Sequence, residues 1–162
     1  MTKIIKMETT MHTQPRVMIS DKTKRVLVDI ICYLFVLLFL YAATSKLLDY
    51  SKFQLQMGKS PIITDFANIL VWLVPGVEIV ISIMLIMDRT RMLGLFAAFT
   101  LMVLFTGYIY AILNYSDTIP CSCGGVLEKM SWSQHLIFNC VFVALAVVGI
   151  LLQTKITEKK AH

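Results

Sequence analysis

The stretch that decides the fold is residues 26–48, which read VLVDIICYLFVLLFLYAATSKLL. Its charged residues are Asp29 near the beginning and Lys46 near the end. A transmembrane helix needs about 20 mostly apolar residues, because its length has to match the hydrocarbon thickness of the bilayer. The stretch therefore predicts a membrane-spanning helix that begins near Val26 and ends near Leu48.

Further apolar stretches of similar length follow, at about residues 66–87, 92–113 and 132–152. Hydrophobic residues make up 57% of the chain and charged residues only 15%, whereas soluble domains carry about a quarter charged residues. We therefore predict an all-α fold, an integral membrane four-helix bundle that forms one domain over residues 26–152. The composition and the apolar stretches make the lipid bilayer its surroundings.

Three local patterns refine this bundle. Pro75 and Gly76 lie inside the second span and predict a kink, which membrane helices tolerate. The charged sequence at residues 88–91 predicts a tight turn between the second and third spans. In the connection 49–65, the residues Lys52, Phe53 and Leu55 allow a short interfacial helix.

The basic residues predict the orientation of the bundle. Most of them lie in residues 1–25, in the turn at 88–91 and in residues 153–162. Because cytoplasmic segments of membrane proteins are enriched in lysine and arginine, both termini are predicted to be cytoplasmic, the first as a flexible tail and the last as a basic tail. Nucleic-acid binding is not expected, since the basic residues flank apolar spans without interleaved aromatic residues.

The connection between the third and fourth spans, on the predicted extracytoplasmic side, carries a close cysteine pair. Cys121 and Cys123 are separated by one residue, preceded by Pro120 and followed by Gly124 and Gly125. A disulfide between such near neighbours closes a small ring and is expected to be strained, and a strained, exposed disulfide is oxidising and labile. The glycines leave the backbone free to turn and the sulfur atoms accessible. The pattern favours a thiol–disulfide exchange site.

Other interpretations of the same pair remain open. The cysteines could be free thiols or a static disulfide that staples the connection. A zinc site built from Cys121, Cys123 and His135 would need another ligand, and the sequence offers no obvious one; we predict no metal. His135 has helical spacing from Trp132 and Asn139, so the three share one helix face. An imidazolium there would lower the pKa of a nearby thiol, which makes His135 a candidate thiolate tuner; an interfacial histidine without a role is the alternative.

Glu78 is a carboxylate within the second span, where a charged acid costs about 3 kcal/mol on insertion scales. This predicts a proton or ligand site, with an interhelical hydrogen bond as the alternative. Because Glu78 lies about 18 Å from the outer end of its span, we do not expect a direct ion pair with Lys46. Asn139 is predicted to hydrogen-bond another helix, and Cys32 and Cys140 are predicted to be packing residues.

These residues together resemble the methylamine-utilisation MauE family, one of the wider DoxX-like membrane proteins. The resemblance covers about Lys24 to Leu152. Its elements are Lys46 at the end of the first span, Pro75-Gly76-x-Glu78 in the second, the sequence Pro-Cys-Ser-Cys-Gly-Gly at 120–125, and Trp132, His135 and Asn139 at the start of the last span. The cysteine motif is the most specific of them.

The resemblance implies a redox-associated, multi-pass protein of the bacterial inner membrane with a periplasmic cysteine loop. It implies a periplasmic thioredoxin-fold partner and a cysteine-containing client, first proposed as the methylamine dehydrogenase light subunit. Cys121 and Cys123 carry over as redox residues, which makes the chain a candidate component of a thiol–disulfide oxidoreductase. The carboxylate Glu78 suggests a membrane electron carrier, such as a quinone, close by. The alternatives are a non-catalytic scaffold or assembly factor, or a small proton-coupled transporter that uses Glu78.

Overall fold

The computed structural model describes residues 20–58, 66–115 and 131–161. In these ranges the chain forms five helices: α1 (Asp21–Leu48), α2 (Tyr50–Gly58), α3 (Ala67–Ile86), α4 (Arg91–Tyr115) and α5 (Trp132–Ala161). Each of the four long helices, α1, α3, α4 and α5, contains an apolar segment long enough to cross a membrane. The prediction of an all-helical, four-span membrane bundle is confirmed.

The first and last helices extend beyond the predicted spans. Helix α1 begins at Asp21, inside the predicted flexible tail, and α5 continues to Ala161 through most of the predicted basic tail. The Asp21 carboxylate pairs with Lys159 of α5, and it also lies 3.2 Å from the ammonium of Lys24 one turn on. Hydropathy marks only the apolar part of a helix, so these polar extensions were not visible in it.

The core of the bundle lies where α1 packs against α3 and α5, and where α4 packs against the same two helices. Phe35 and Phe39 of α1, Leu85 of α3, and Leu95 and Met102 of α4 are almost completely buried there. Many large apolar side chains point outward instead, as is expected where lipid rather than water surrounds the bundle. The buried and exposed faces therefore agree with a protein solvated by a membrane.

A charged turn joins α3 to α4 at one end of the bundle, as predicted. The guanidinium of Arg91 lies 2.9 Å from the carboxylate of Asp29 in α1 and 2.6 Å from that of Asp88 in the turn. The hydroxyl of Thr90 donates a hydrogen bond of 3.0 Å to the carbonyl of Met84. These contacts tie the turn to both neighbouring helices. Helix α3 runs through Pro75 as one helix, and the kink there stays a prediction.

At the opposite side of the bundle, α1 and α4 reach their last residues and α3 and α5 begin. We call this side the loop end. The predicted short helix is confirmed there as α2, which packs against α3. Its Phe53 is buried with Val71, and the rings of Tyr50 and Trp72 lie 5.2 Å apart. Helix α2 thus covers the side of α3 that extends beyond the end of α1.

Candidate functional site

A buried ion pair joins α1 to α3. The ammonium of Lys46 lies 2.6 Å from Oε1 of Glu78, and the two residues are 7% and 0% exposed. We expected no direct pair, and that expectation was wrong. Helix α1 ends within one turn of Lys46, whereas α3 continues for three turns from Glu78 towards the loop end, where α2 packs beside it. Lys46 therefore lies at the level of Glu78 although it is close to the end of its own helix.

Aromatic rings complete the surroundings of the lysine. The Lys46 ammonium lies 6.0 Å from the ring centroid of Phe53 in α2 and 5.7 Å from that of Phe105 in α4. A cation within about 6 Å of an aromatic face is attracted by the ring quadrupole. The positive charge is thus held by contacts from α2, α3 and α4, away from bulk solvent.

The second carboxylate oxygen of Glu78, Oε2, takes no part in this ion pair. Oε2 is buried and has no hydrogen-bond partner among the described residues. The nearby hydroxyl of Ser82 donates to the main-chain carbonyl of Glu78, at 2.8 Å, and not to its carboxylate. A buried acceptor without a donor costs free energy, and in native proteins such a group usually has a protein or water partner.

A cavity of about 40 Å³ adjoins the ion pair. Its polar lining residues are Lys46, Glu78, His135 and Asn139, and its apolar ones are Leu38, Phe39, Ala42, Met102, Phe105 and Phe138. A water molecule needs a space of roughly 10–15 Å³ and two to four polar partners. The cavity therefore has the room and the lining to hold one or two water molecules.

His135 and Asn139 reach this cavity from the first turns of α5. They are 7% and 3% exposed, and the Asn139 amide donates a hydrogen bond of 3.0 Å to the main-chain carbonyl of His135. The prediction of a shared helix face is confirmed for these two residues, and the side chain of Trp132 lies outside the described residues. The interhelical hydrogen bond expected for Asn139 stays a prediction, because the bond described here lies within α5.

The structure thus brings Glu78, His135 and Asn139 together, and it adds a residue that the sequence analysis had set apart. In the sequence, Lys46 marks the end of the first span. Its signal was present in the sequence, since Leu47 and Leu48 follow it and place it inside the apolar stretch. Cys121 and Cys123 lie outside the described residues, so their redox role and the tuning role of His135 stay predictions.

A quinone does not fit the described site. An aromatic ring the size of benzene occupies an engineered cavity on the order of 150 Å³, whereas the cavity beside Glu78 has about 40 Å³. A larger groove of about 700 Å³ lies between α3 and α4 and is lined by apolar side chains together with Trp72 and Thr100. The Thr100 hydroxyl donates to the carbonyl of Phe96. The cavity beside Glu78 is therefore too small for a quinone ring, and a quinone elsewhere in the bundle stays a prediction.

The two cysteines within the spans differ in environment. Both are free; Cys32 is buried in the core and Cys140 is exposed on the outside of α5. The prediction of a packing role is confirmed for Cys32 and wrong for Cys140. Because successive helical residues are rotated by about 100°, Cys140 points away from the cavity that its neighbour Asn139 lines.

Comparison with known proteins identifies the family. Searches of curated proteins and of solved structures gave no match. The family model described as methylamine utilisation protein MauE matches residues 24–152. This range contains the apolar stretches of all four spans, including the whole of α3 and α4, and all the candidate site residues. The chain therefore belongs to the MauE family.

Proposed function

We propose that this chain is the membrane component of an extracytoplasmic thiol–disulfide exchange system and acts through Cys121 and Cys123 on a thioredoxin-like partner. The observation that carries the proposal is the Cys-x-Cys motif in the connection between α4 and α5 of a MauE-family membrane bundle. Disulfides form and persist outside the cytoplasm, and the positive-inside rule favours that location for this connection. The membrane is then the bacterial inner membrane, with the loop in the periplasm.

The exchange itself is a balanced two-electron reaction. A thiolate of the loop attacks one sulfur of the partner's disulfide, which forms a mixed disulfide and releases a partner thiolate that takes up the proton. The second loop cysteine then attacks the mixed disulfide. The loop ends as a disulfide and the partner as a dithiol, and the reverse reaction follows the same bonds. The difference in reduction potential between the two pairs sets the direction.

The family is described as that of a methylamine utilisation protein. We propose that the final client is a cysteine-containing extracytoplasmic protein whose disulfides the partner makes or sorts. The chain itself contributes the membrane anchorage and the exposed cysteine pair. The bundle, with large apolar side chains directed outward, supports this anchorage.

His135 is proposed to raise the thiolate fraction of the loop. It lies in the first turn of the helix that follows the cysteine connection, at the loop end of the bundle. An imidazolium near a thiol lowers the thiol pKa. The replacement His135→Gln should therefore slow alkylation of the reduced loop near neutral pH. An unchanged alkylation rate would remove His135 from the thiol chemistry.

The test of the exchange uses single replacements of the loop cysteines. In Cys121→Ser or Cys123→Ser, the remaining cysteine should hold a mixed disulfide with a thioredoxin-fold protein, trapped by acid quench and alkylation. The matched control is Cys140→Ser, which removes an exposed thiol outside the loop and should leave the wild-type pattern intact.

Two other outcomes would decide for the alternatives. Loop cysteines that stay oxidised and never join a partner would indicate a structural staple in a scaffold or assembly factor. Loss of function in Glu78→Gln with normal cysteine cycling would indicate a proton-coupled transporter, which the buried Glu78 and its cavity make the second candidate.

A further inference from the structure

We infer that Glu78, Lys46 and His135 form a buried proton-exchange site, in which water in the adjoining cavity connects Oε2 of Glu78 to the His135 side chain. This goes beyond the proposed thiol chemistry, and it does not depend on it. It assigns a chemical role to the part of the molecule that the cysteine loop leaves unexplained. The ligand of the site is water, and the transferred species is a proton.

The first support is that the two carboxylate oxygens of Glu78 differ in their hydrogen bonding. Oε1 accepts a hydrogen bond from the Lys46 ammonium at 2.6 Å, whereas Oε2 is buried without a partner among the described residues. A static ion pair would be more stable if both oxygens had donors, since breaking or incompletely satisfying a buried pair is costly. Either a proton on Oε2 or a water donor removes this deficit.

The second support is the lining of the cavity. It adjoins Glu78, has about 40 Å³, and also exposes His135 and Asn139 to the same space. A water molecule there has polar partners on α1, α3 and α5, as a stably bound internal water requires. Histidine is the side chain whose ordinary pKa allows it to take up and release a proton near neutral pH. Ionisable residues within membrane spans commonly mark proton relays.

The charged groups that face Glu78 determine which side chains can exchange a proton. Helix α1 contributes the Lys46 ammonium, α5 contributes His135, and α4 contributes the uncharged Met102 and Phe105 to the lining. Helix α2 contributes Phe53, which lies over Lys46. Since Lys46 stays bound to Oε1, Glu78 and His135 are the groups that exchange the proton.

The proton transfer conserves protons and charge. The His135 imidazolium gives its ring proton to the cavity water, and this water passes a proton to Oε2 of Glu78. The imidazole becomes neutral, the carboxylate becomes a carboxylic acid, and the net charge of the three residues stays at +1 throughout. The proton enters and leaves on the side of His135, which lies in the first turn of α5 at the loop end.

Infrared spectroscopy of the full chain in lipid nanodiscs tests this inference. Lowering the pH should produce the carbonyl stretch of a protonated carboxyl group, and transfer to D₂O should shift that band while the protein stays folded. Glu78→Gln should abolish the band, and Glu78→Asp should move it if the glutamine variant does not fold. The control Glu158→Gln changes an exposed glutamate of α5 and should leave the band in place.

His135→Gln tests the path of the proton. It should slow the D₂O shift of the Glu78 band, on the order of a hundredfold, the size of contribution typical of a positioned acid–base group. A Glu78 band that is absent at every pH at which the protein is folded would overturn the inference. A band that exchanges only on unfolding, or that exchanges as fast in His135→Gln as in the wild type, would also overturn it.

The same measurement separates this inference from the thiol proposal. The double replacement Cys121→Ser with Cys123→Ser should leave the Glu78 band and its exchange unchanged. If the thiol exchange fails its own test while this band behaves as expected, the proton site stands. If the band fails while mixed disulfides form, the proton site falls and the exchange function stands.

Discussion

Lys46 and Glu78 show how two charged residues can be buried inside a membrane-spanning bundle despite their desolvation cost. Each alone would place an uncompensated charge in the bundle, but together they form a contact of 2.6 Å. Their attraction and the aromatic rings of Phe53 and Phe105 offset part of the desolvation cost. Replacing one partner alone should therefore lower the free energy of unfolding more than replacing both.

A double-mutant cycle on this pair tests that argument. Lys46→Met or Glu78→Gln alone should lower the free energy of unfolding by about 3 to 5 kcal/mol, because each leaves a buried charge without its partner. The double variant should recover much of that loss. Unfolding of the detergent-solubilised protein, followed by loss of helical circular dichroism, measures the four free energies.

The matched control for the cycle is the partly exposed pair of Arg91 with Asp29. Asp29→Asn should cost no more than about 1 kcal/mol, since solvent screens such pairs. Strictly additive effects of Lys46→Met and Glu78→Gln would show that the two side chains are not coupled and would contradict the cycle's premise.

At the scale of elements, the close approach of α3 and α4 depends on a glycine after the charged turn. A Cβ built on Gly94 would lie 3.1 Å from the Leu85 backbone nitrogen and 3.1 Å from the Met84 carbonyl carbon. These neighbours are backbone atoms of α3, which yield less readily than the end of a side chain. An alanine in that position would require the two helices to move apart by a few tenths of an ångström.

The replacement Gly94→Ala should accordingly destabilise the bundle. Overpacking a close contact costs about 1 to 3 kcal/mol, and the better helix propensity of alanine offsets about 1 kcal/mol of it. The same change at Gly107, where a Cβ would meet nothing within 4 Å, should be neutral or stabilising. Thermal unfolding of both variants compares them, and equal midpoints would show that α3 and α4 separate without cost.

For the whole molecule, the antiparallel arrangement of the four long helices places the cysteine connection and the buried ion pair at the same end. The connection joins the end of α4 to the start of α5; Lys46 lies within one turn of the end of α1, and His135 lies in the first turn of α5. The opposite end carries the Arg91 cluster and the paired residues Asp21 and Lys159. The two ends therefore differ in chemistry, and the orientation in the membrane decides which compartment each one faces.

Thiol labelling of single-cysteine variants in intact cells checks this orientation. A membrane-impermeant reagent should label reduced Cys121 or Cys123 from outside without disruption of the cells. Cys32 should stay unlabelled because it is buried in the core, and Cys140 should react only with a membrane-permeant reagent because its exposed face meets lipid. Labelling of the loop only after the cells are broken open would place it in the cytoplasm.

The sequence by itself determined the parts that follow from local composition. Uninterrupted apolar stretches predicted the four spans, and residues 88–91 predicted the charged turn, because solvation by lipid and turn chemistry act on neighbouring residues. The sequence also indicated the short helix α2 from Phe53 and its neighbours. The residues Glu78, His135 and Asn139 were recognisable because polar groups are costly inside apolar helices.

Only the tertiary structure decided how these polar residues meet. The distance of Glu78 from the end of its own span predicted that Lys46 could not reach it. That prediction assumes that all spans end at the same level. In fact, α1 ends closer to the middle of the bundle than the point where α3 begins, and α2 packs beside the first turns of α3. The relative heights of packed helices depend on how their side chains fit, as Phe53 against Val71 does, and a single sequence does not record that fit. The ion pair and its cavity therefore belong to the packed bundle rather than to any one span.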